Sequence, residues 1–237
     1  MLIAAAVCPH PPLLVPEVTG ASDPAVRELR RLRTACRDAV AALLGLAPDL
    51  LVVVGGAGQT AEYPTTAGGS LRDFAVPFTV GADPVLPLSL TIGKWLLAGT
   101  APESQKVTWQ AIGSDAATAE CVSLGEKLAT LAPRVALLAT GDGPGRRARG
   151  VPGATDPEAD RYDDQVAAAL AAADPGALAA LDPGQDRPLE IAGRAAWQVL
   201  AGAAGDEQGQ DAFDAELRYR GAPFEVSYVV ASWRREP

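Results

Sequence analysis

The stretch LLVVVGGAGQT, residues 50–60, decides the fold class. Its first five residues are all leucine or valine and do not alternate with polar residues. A run of this kind predicts a strand that is buried on both faces, as in a parallel sheet covered by helices. The residues that follow, beginning with Gly55 and Gly56, predict a loop. We therefore expect an α/β protein with a mostly parallel central sheet flanked by helices.

The segment before this strand completes a βαβ unit. The apolar run at residues 2–7 predicts a first strand, and apolar residues spaced by three and four between residues 26 and 43 predict a helix. Ser22-Asp23-Pro24 predicts the start of this helix, and Gly45 predicts its end in the left-handed conformation. A connection of this kind between parallel strands is right-handed.

The remaining sequence continues the alternation of strands and helices. The predicted helices lie at residues 88–97, 116–131, 163–173 and 189–203, and the predicted strands at residues 107–112, 135–140, 215–220 and 226–233. The last two strands flank a Gly-Ala-Pro turn and predict a C-terminal β-hairpin. Residues 141–160 predict a long loop, and residues 205–210 a polar turn. Because no linker divides the chain, we expect a single domain over residues 1–237.

The composition excludes several classes of function. The chain has 29 acidic and 20 basic residues, which argues against a nucleic-acid-binding surface and against docking on anionic membranes. Residues 1–8 lack the basic residues of a signal peptide, and no apolar run reaches the roughly 20 residues of a membrane span. The three cysteines, Cys8, Cys36 and Cys121, lie far apart. They predict reduced thiols in the core of a cytoplasmic protein.

Three predicted strands end in unusual sequence. These endings are CPHPP at residues 8–12, GGAGQT at residues 55–60 and TGDGPGRR at residues 140–147. The carboxyl ends of parallel strands meet at one edge of the sheet, where α/β proteins bind their ligands. His10, the single histidine, and Asp142 are the candidate catalytic residues at this edge. Each also has a structural interpretation, as a hydrogen-bond donor to a backbone carbonyl and as a turn or helix cap, respectively.

Two glycine clusters at the same strand ends are candidate ligand-binding loops. Their backbone N–H groups predict contacts to an anion through Gly56 and Ala57 in the first loop, and Gly143 and Gly145 in the second. Arg146 follows the second cluster and adds a positive charge. Neither cluster has a Walker lysine or the spacing of a dinucleotide site. Flexible turns and a solvated arginine are therefore the alternative interpretation.

Five segments taken together resemble the LigB family. This family contains the catalytic subunits of class III extradiol ring-cleaving dioxygenases and has Memo-like relatives. The segments are LIAAAVCPHPPLLVPEV (2–18), LLVVVGG (50–56), ALLATGDGPGRR (136–147), EIAGRAAWQVLAGA (190–203) and APFEVSYVVASW (222–233). The resemblance covers nearly the whole chain and is greatest for a divergent actinobacterial branch. It implies a central sheet between layers of helices.

The resemblance also implies a metal centre, most of whose ligands are replaced here. Active members of the family bind ferrous iron through two histidines and a carboxylate, and a further histidine acts as acid and base. His10 matches the first ligand histidine. Ala57 stands at the second ligand position, and Gly145 stands at the acid–base position. The third ligand position is also apolar, because Ala192 occupies it, although Glu190 lies two residues earlier.

An iron site needs about three protein ligands in a fixed geometry, and only His10 remains. We therefore expect no cofactor and no ring cleavage. We expect instead a cleft for an unknown small molecule or protein, with Glu190 and Arg194 among its ligand-binding residues. In one alternative, Asp142, Glu62 or Glu190 replaces the lost ligands and Fe(II) chemistry persists. In others, His10 and Asp142 form a proton-transfer pair, or the chain is an assembly protein, for which relatives suggest a homodimer.

Overall fold

A computed structural model describes residues 1–18, 25–145, 156–205 and 213–236. The strands in these ranges are β1 (Leu2–Cys8), β2 (Leu50–Ala57), β3 (Ala61–Tyr63), β4 (Ala67–Ser70), β5 (Thr79–Val80), β6 (Asp83–Pro84), β7 (Val107–Gly113), β8 (Val135–Thr140), β9 (Phe213–Gly221) and β10 (Tyr228–Arg235). The helices are α1 (Ala25–Gly45), α2 (Leu88–Leu97), α3 (Thr118–Ala129), α4 (Pro157–Ala171), α5 (Pro175–Ala179), α6 (Asp186–Leu189) and α7 (Arg194–Ala204).

A seven-stranded sheet forms the centre of the molecule, in the order β3-β7-β2-β8-β1-β10-β9. Strands β7, β2, β8 and β1 are parallel to one another. Strand β3 and the hairpin β9–β10 add antiparallel strands at the two sides. All residues of β8 are buried, as the lack of alternation predicted. The predicted α/β class and C-terminal hairpin are confirmed, and within the seven-stranded sheet antiparallel pairing is confined to the flanks of the parallel centre.

Helices cover both faces of this sheet. One apolar cluster packs α1 and α2 on what we call the α1 face. A second cluster packs α3, α4 and α7 on the opposite side, which we call the α7 face. Cys8, Cys36 and Cys121 are buried free thiols, as predicted. No helix in the described part of the chain is long and apolar enough to cross a membrane.

The predicted end of the first helix is wrong in its geometry. Helix α1 includes Gly45, and this glycine is not among the residues with positive φ. The left-handed residue is Ala47, with φ of 47°. The chain therefore reverses two residues later than the glycine suggested. The predicted helix start at residues 22–24 lies outside the described residues.

Two further helix boundaries are also wrong. The loop predicted for residues 141–160 ends earlier, because the Asp156 side chain accepts a hydrogen bond from a first-turn N–H and Pro157 begins α4. The helix predicted at residues 189–203 is interrupted at Glu190, which is left-handed with φ of 56°. Helix α7 begins only at Arg194. Residues 146–155 of the loop, and residues 206–210 of the predicted turn, are outside the described residues.

Several short elements had no prediction. They are β3, helices α5 and α6, and a separate three-stranded sheet in the order β5-β4-β6. The strands among them have only two to four residues. A segment of that length contains too few residues for hydrophobic periodicity to appear.

Candidate functional site

The carboxyl ends of β1, β8 and β2 lie side by side, as the parallel-strand rule predicted. Thr140, the last residue of β8, pairs with Cys8 on one side and with Gly55 on the other. The Gly141 N–H donates a hydrogen bond to the Cys8 carbonyl at 3.0 Å. The segment of His10, the glycine loop after β2 and the loop after β8 therefore converge at one edge of the sheet.

His10 and Asp142 contact each other at this edge. The His10 backbone N–H donates to Asp142 Oδ1 at 2.7 Å, and the imidazole Nδ1 lies 3.9 Å from the same oxygen. The second distance is too long for a hydrogen bond. Nδ1 is also buried without a hydrogen-bond partner among the described residues. The structure thus brings together the two predicted catalytic groups and leaves the imidazole unengaged.

The environment of Asp142 disfavours its charged form. Burial raises the pKa of the Asp142 carboxyl group, and the His10 imidazole and backbone N–H lower it only in part. Perturbation by burial next to a specific partner is typical of functional sites, although structural networks also show it. Asp142 is therefore a carboxyl group whose proton is easier to retain than that of an exposed aspartate.

We expect Asp142→Asn to change the pH dependence of stability. A carboxyl group with a raised folded-state pKa stabilises the fold fully below its ordinary pKa of 3.8, and this contribution is lost as the pH rises through the raised value. Asparagine has no such loss. The free energy of unfolding of the variant, relative to wild type, should therefore increase between about pH 4 and about pH 7. Urea unfolding at both pH values measures it, and a constant difference would contradict the raised pKa.

Tyr228 is a third polar residue at this edge, and no sequence pattern predicted a role for it there. Strands β1 and β10 are antiparallel neighbours, so Tyr228, the first residue of β10, lies at the same edge as Cys8, the last residue of β1. Burial raises the pKa of the Tyr228 phenol, and the charge of Asp142 adds to this effect. The sequence signal for Tyr228 was weak. The apolar pattern around this residue predicts a strand, but it does not indicate which residues the tyrosine side chain contacts.

The positions that the resemblance aligns with metal ligands are also close together. The Ala192 N–H donates to the Asp142 carbonyl at 3.1 Å. A Cβ atom on Gly56 would lie 3.3 Å from the Ala192 carbonyl oxygen, and Ala57 is the next residue. Of the three positions at this edge, only His10 has a side chain with ligand atoms. The described part of the chain contains no group of three His, Cys, Asp or Glu residues that could hold a metal ion.

The second glycine loop is engaged with its neighbours. The N–H groups of Gly143 and Gly145 both donate to backbone carbonyls, each at 2.9 Å. These two N–H groups are therefore not free for an anion. Glu190 lies against this loop, since a Cβ atom on Gly145 would be 3.2 Å from the Glu190 Cβ. Arg146 lies outside the described residues.

Glu62 is far from this edge of β1. It lies on strand β3, opposite Gln110 of β7. Strands β7, β2 and β8 separate β3 from β1. Four strand spacings amount to about 19 Å, so Glu62 cannot share a metal ion with His10. The alternative that used Glu62 as a replacement ligand is wrong.

Arg194 lies inside the protein, with 1% of its surface exposed. Its guanidinium donates four hydrogen bonds, to Asp186 Oδ2, Gln198 Oε1, the Ala116 carbonyl and the Ser114 carbonyl. These contacts join the start of α7 to α6 and to the β7–α3 connection. The geometry gives Arg194 a structural role, in place of the ligand contact expected from the sequence.

Surface grooves occur elsewhere on the molecule. Two grooves of about 390 and 450 Å³ lie between α1 and the β9–β10 hairpin and share Glu216 and Arg218. A third, of about 350 Å³, is next to the first and includes Ile3, near the start of β1, and Leu46, which also lines the first groove. Neither His10 nor Asp142 lines any of these three grooves. We therefore locate the candidate site by its chemical groups, and not by groove volume.

Comparison with known proteins identifies the fold. The sequence matches no family model and no curated protein. The structure is similar to the crystal structure of the uncharacterized protein JW3007 from Escherichia coli K12, with a TM-score of 0.52 and 18% sequence identity. The similarity covers 97% of this chain and 99% of that chain. The α/β fold described above is therefore shared with that protein over nearly the full length of both chains.

Proposed function

We propose that this chain is a LigB-like protein that has lost the iron site and ring-cleavage activity, and that binds a small molecule beside His10 and Asp142. One observation carries the proposal. The positions that the resemblance aligns with ligands lie together at the carboxyl edge of the sheet, yet Ala57 and Ala192 offer no ligand atoms. In this proposal, the site remains at the carboxyl edge of the sheet but no longer binds a metal ion.

The unengaged imidazole supports a binding role for this edge. Leaving a buried polar atom without a hydrogen bond costs about 1–3 kcal/mol, and His10 Nδ1 is such an atom. A bound molecule that reorients the ring recovers this free energy by bringing Nδ1 into contact with Asp142. Binding and imidazole reorientation are coupled in this proposal.

A proton-transfer enzyme is the second candidate function. It is favoured by the position of one carboxylate oxygen, which lies 3.9 Å from His10 Nδ1. Shortening this distance by about 1 Å forms an Asp–His hydrogen bond and leaves Nε2 to take a proton from a ligand. Catalytic hydrogen bonds are often long in ligand-free structures and tighten on binding.

The loss of iron chemistry is tested by metal analysis of protein purified without a histidine tag, which would itself supply ligands. We expect iron at background, and no oxygen uptake with protocatechuate after anaerobic loading with Fe(II). His10→Ala should change neither result. Stoichiometric iron in wild-type protein that disappears in His10→Ala would overturn the proposal. Oxygen uptake that depends on protocatechuate would also overturn it.

Binding at this edge is tested with the same untagged protein. His10 is the only histidine, so its Hε1 proton gives a single NMR signal that reports on the site. A small molecule bound beside His10 should shift this signal with saturation. Asp142→Asn should alter the shift, because the carboxyl group lies 3.9 Å from the imidazole Nδ1.

A further inference from the structure

We propose that Tyr228 contacts the ligand of the His10–Asp142 site, and that this ligand presents a neutral group which both donates and accepts a hydrogen bond, such as an alcohol hydroxyl. This inference rests on the proposed function and deepens it. It adds a residue to the site and names the chemical class of the group that binds there.

Strand pairing gives the first placement of Tyr228. Strands β1 and β10 pair continuously from Ala4 with Arg234 to Val7 with Ala231. Because β1 ends at Cys8 and β10 begins at Tyr228, this antiparallel pairing puts Tyr228 at the edge where the segment of His10 begins. Tyr228 and Cys8 belong to one buried cluster on the α1 face. The tyrosine ring therefore lies on the same side of the sheet as the Cys8 side chain.

Backbone hydrogen bonds give a second and independent placement. The Gly143 N–H donates to the Ser227 carbonyl at 2.9 Å, and the Ser227 N–H donates to the Pro144 carbonyl at 3.0 Å. Gly143 directly follows Asp142, and Ser227 directly precedes Tyr228. The two hydrogen bonds therefore fix the backbone of Tyr228 beside that of Asp142.

The Tyr228 hydroxyl has no hydrogen-bond partner among the described residues. The residue is only 2% exposed, and its hydroxyl forms no hydrogen bond with the residues that the structure describes. The hydroxyl is not among the buried polar atoms without a partner, so it keeps some contact with solvent, where a ligand can meet it. Three polar groups lie at this edge: the phenol hydroxyl, the imidazole and the carboxyl group. Together they can donate hydrogen bonds to a single polar group of a ligand and accept hydrogen bonds from it.

The electrostatic setting favours a neutral ligand. The Tyr228 residue is 2% exposed and the Asp142 side chain 15% exposed, so this poorly solvated edge, which already holds one carboxyl group, disfavours further negative charge. An anionic ligand would place a further negative charge beside Asp142. An uncharged hydroxyl makes the same hydrogen bonds without that cost.

The test uses the His10 Hε1 signal and three probes with one aromatic body: benzyl alcohol, benzyl methyl ether and benzoate. We expect benzyl alcohol to bind most tightly, because only it is neutral and also carries a donor proton. Tyr228→Phe should raise its dissociation constant about tenfold, as expected for loss of one hydrogen bond. The melting temperature should stay unchanged, because the hydroxyl has no hydrogen-bond partner among the described residues.

Tyr162→Phe is the matched control. The Tyr162 hydroxyl is buried without a partner among the described residues, but Tyr162 packs on the α7 face. This variant should bind benzyl alcohol as wild type does.

Three outcomes would overturn the inference about Tyr228 and the neutral ligand. They are equal affinity of wild type and Tyr228→Phe, tighter binding of benzoate than of benzyl alcohol, and no shift with any probe. Equal affinity would leave the proposed binding function standing, because His10 would still report a bound molecule. The metal and oxygen measurements test the loss of iron chemistry separately.

Discussion

Replacing Gly125 with alanine is expected to lower the free energy of unfolding by about 3 kcal/mol or more. Gly125 lies on α3 where this helix crosses α7. A Cβ atom at this position would lie 2.6 Å from the Ala203 N atom and closer still to the Val199 carbonyl oxygen. Both are backbone atoms of α7, so no side-chain rotation relieves the overlap, and the two helices must separate.

Gly45→Ala is the matched control for this substitution. Gly45 is the last residue of α1, and a Cβ atom there would meet nothing within 4 Å. Alanine is favoured over glycine in helices by about 1 kcal/mol, so this variant should be neutral or slightly more stable. Urea unfolding followed by circular dichroism compares the two. A loss below about 1 kcal/mol for Gly125→Ala would show that the helix contact is looser than described.

The helix contact also supports the candidate site. Helix α7 follows directly after Gly193, and a Cβ atom on Gly141 would overlap this residue. The start of α7 is therefore packed against the residue before Asp142. Movement of α7 in Gly125→Ala should broaden or shift the NMR signal of His10, while Gly45→Ala should leave it unchanged.

Arg194→Met is expected to cost about 3–5 kcal/mol, the usual effect of breaking a buried ion pair by removing one partner. The substitution removes four hydrogen bonds and leaves the Asp186 carboxylate without its cation. Asp186 Oδ1 is already buried without a partner among the described residues. Burial raises the pKa of Asp186, and the Arg194 guanidinium partly offsets this, so the carboxylate becomes much less favourable when Arg194 is lost.

A double variant and a surface control make this prediction specific. Arg194→Met combined with Asp186→Asn should lose less stability than Arg194→Met alone, because no unpaired buried carboxylate remains. Arg31→Ala removes an exposed pair with Glu28, whose side chains are 75% and 45% exposed. That change should cost less than about 1 kcal/mol. If Arg194→Met were as mild as Arg31→Ala, the buried network would not be a structural element.

Arg194 and Tyr228 show which parts of the site the sequence could not predict. The resemblance placed Arg194 next to a ligand position, and the structure turns its guanidinium inward to Asp186. Tyr228 lies within one of the segments that resemble the LigB family, but no role was predicted for it, and the structure places its backbone beside that of Asp142. Tertiary packing determines the direction of a side chain at the start of a helix. Strand pairing determines which residue lies beside the end of a strand. No local sequence pattern specifies either of them.

The sequence by itself determined the parallel centre of the sheet and the edge at which its strand ends meet. Unbroken apolar runs such as residues 50–54 exclude a strand with one face in water, and parallel strands present their carboxyl ends together. The sequence also placed His10 and Asp142 at this one edge, and the structure shows that they are in contact there, although 132 positions separate them.

Only the tertiary structure decided which polar groups complete the edge and which do not. Glu62 was excluded by the strand order, Arg194 by its burial against α6, and Tyr228 was brought in by the pairing of β10 with β1. These outcomes depend on contacts between residues far apart in the chain. Local periodicity fixes the face and length of an element, whereas long-range packing fixes which elements become neighbours and what their side chains meet.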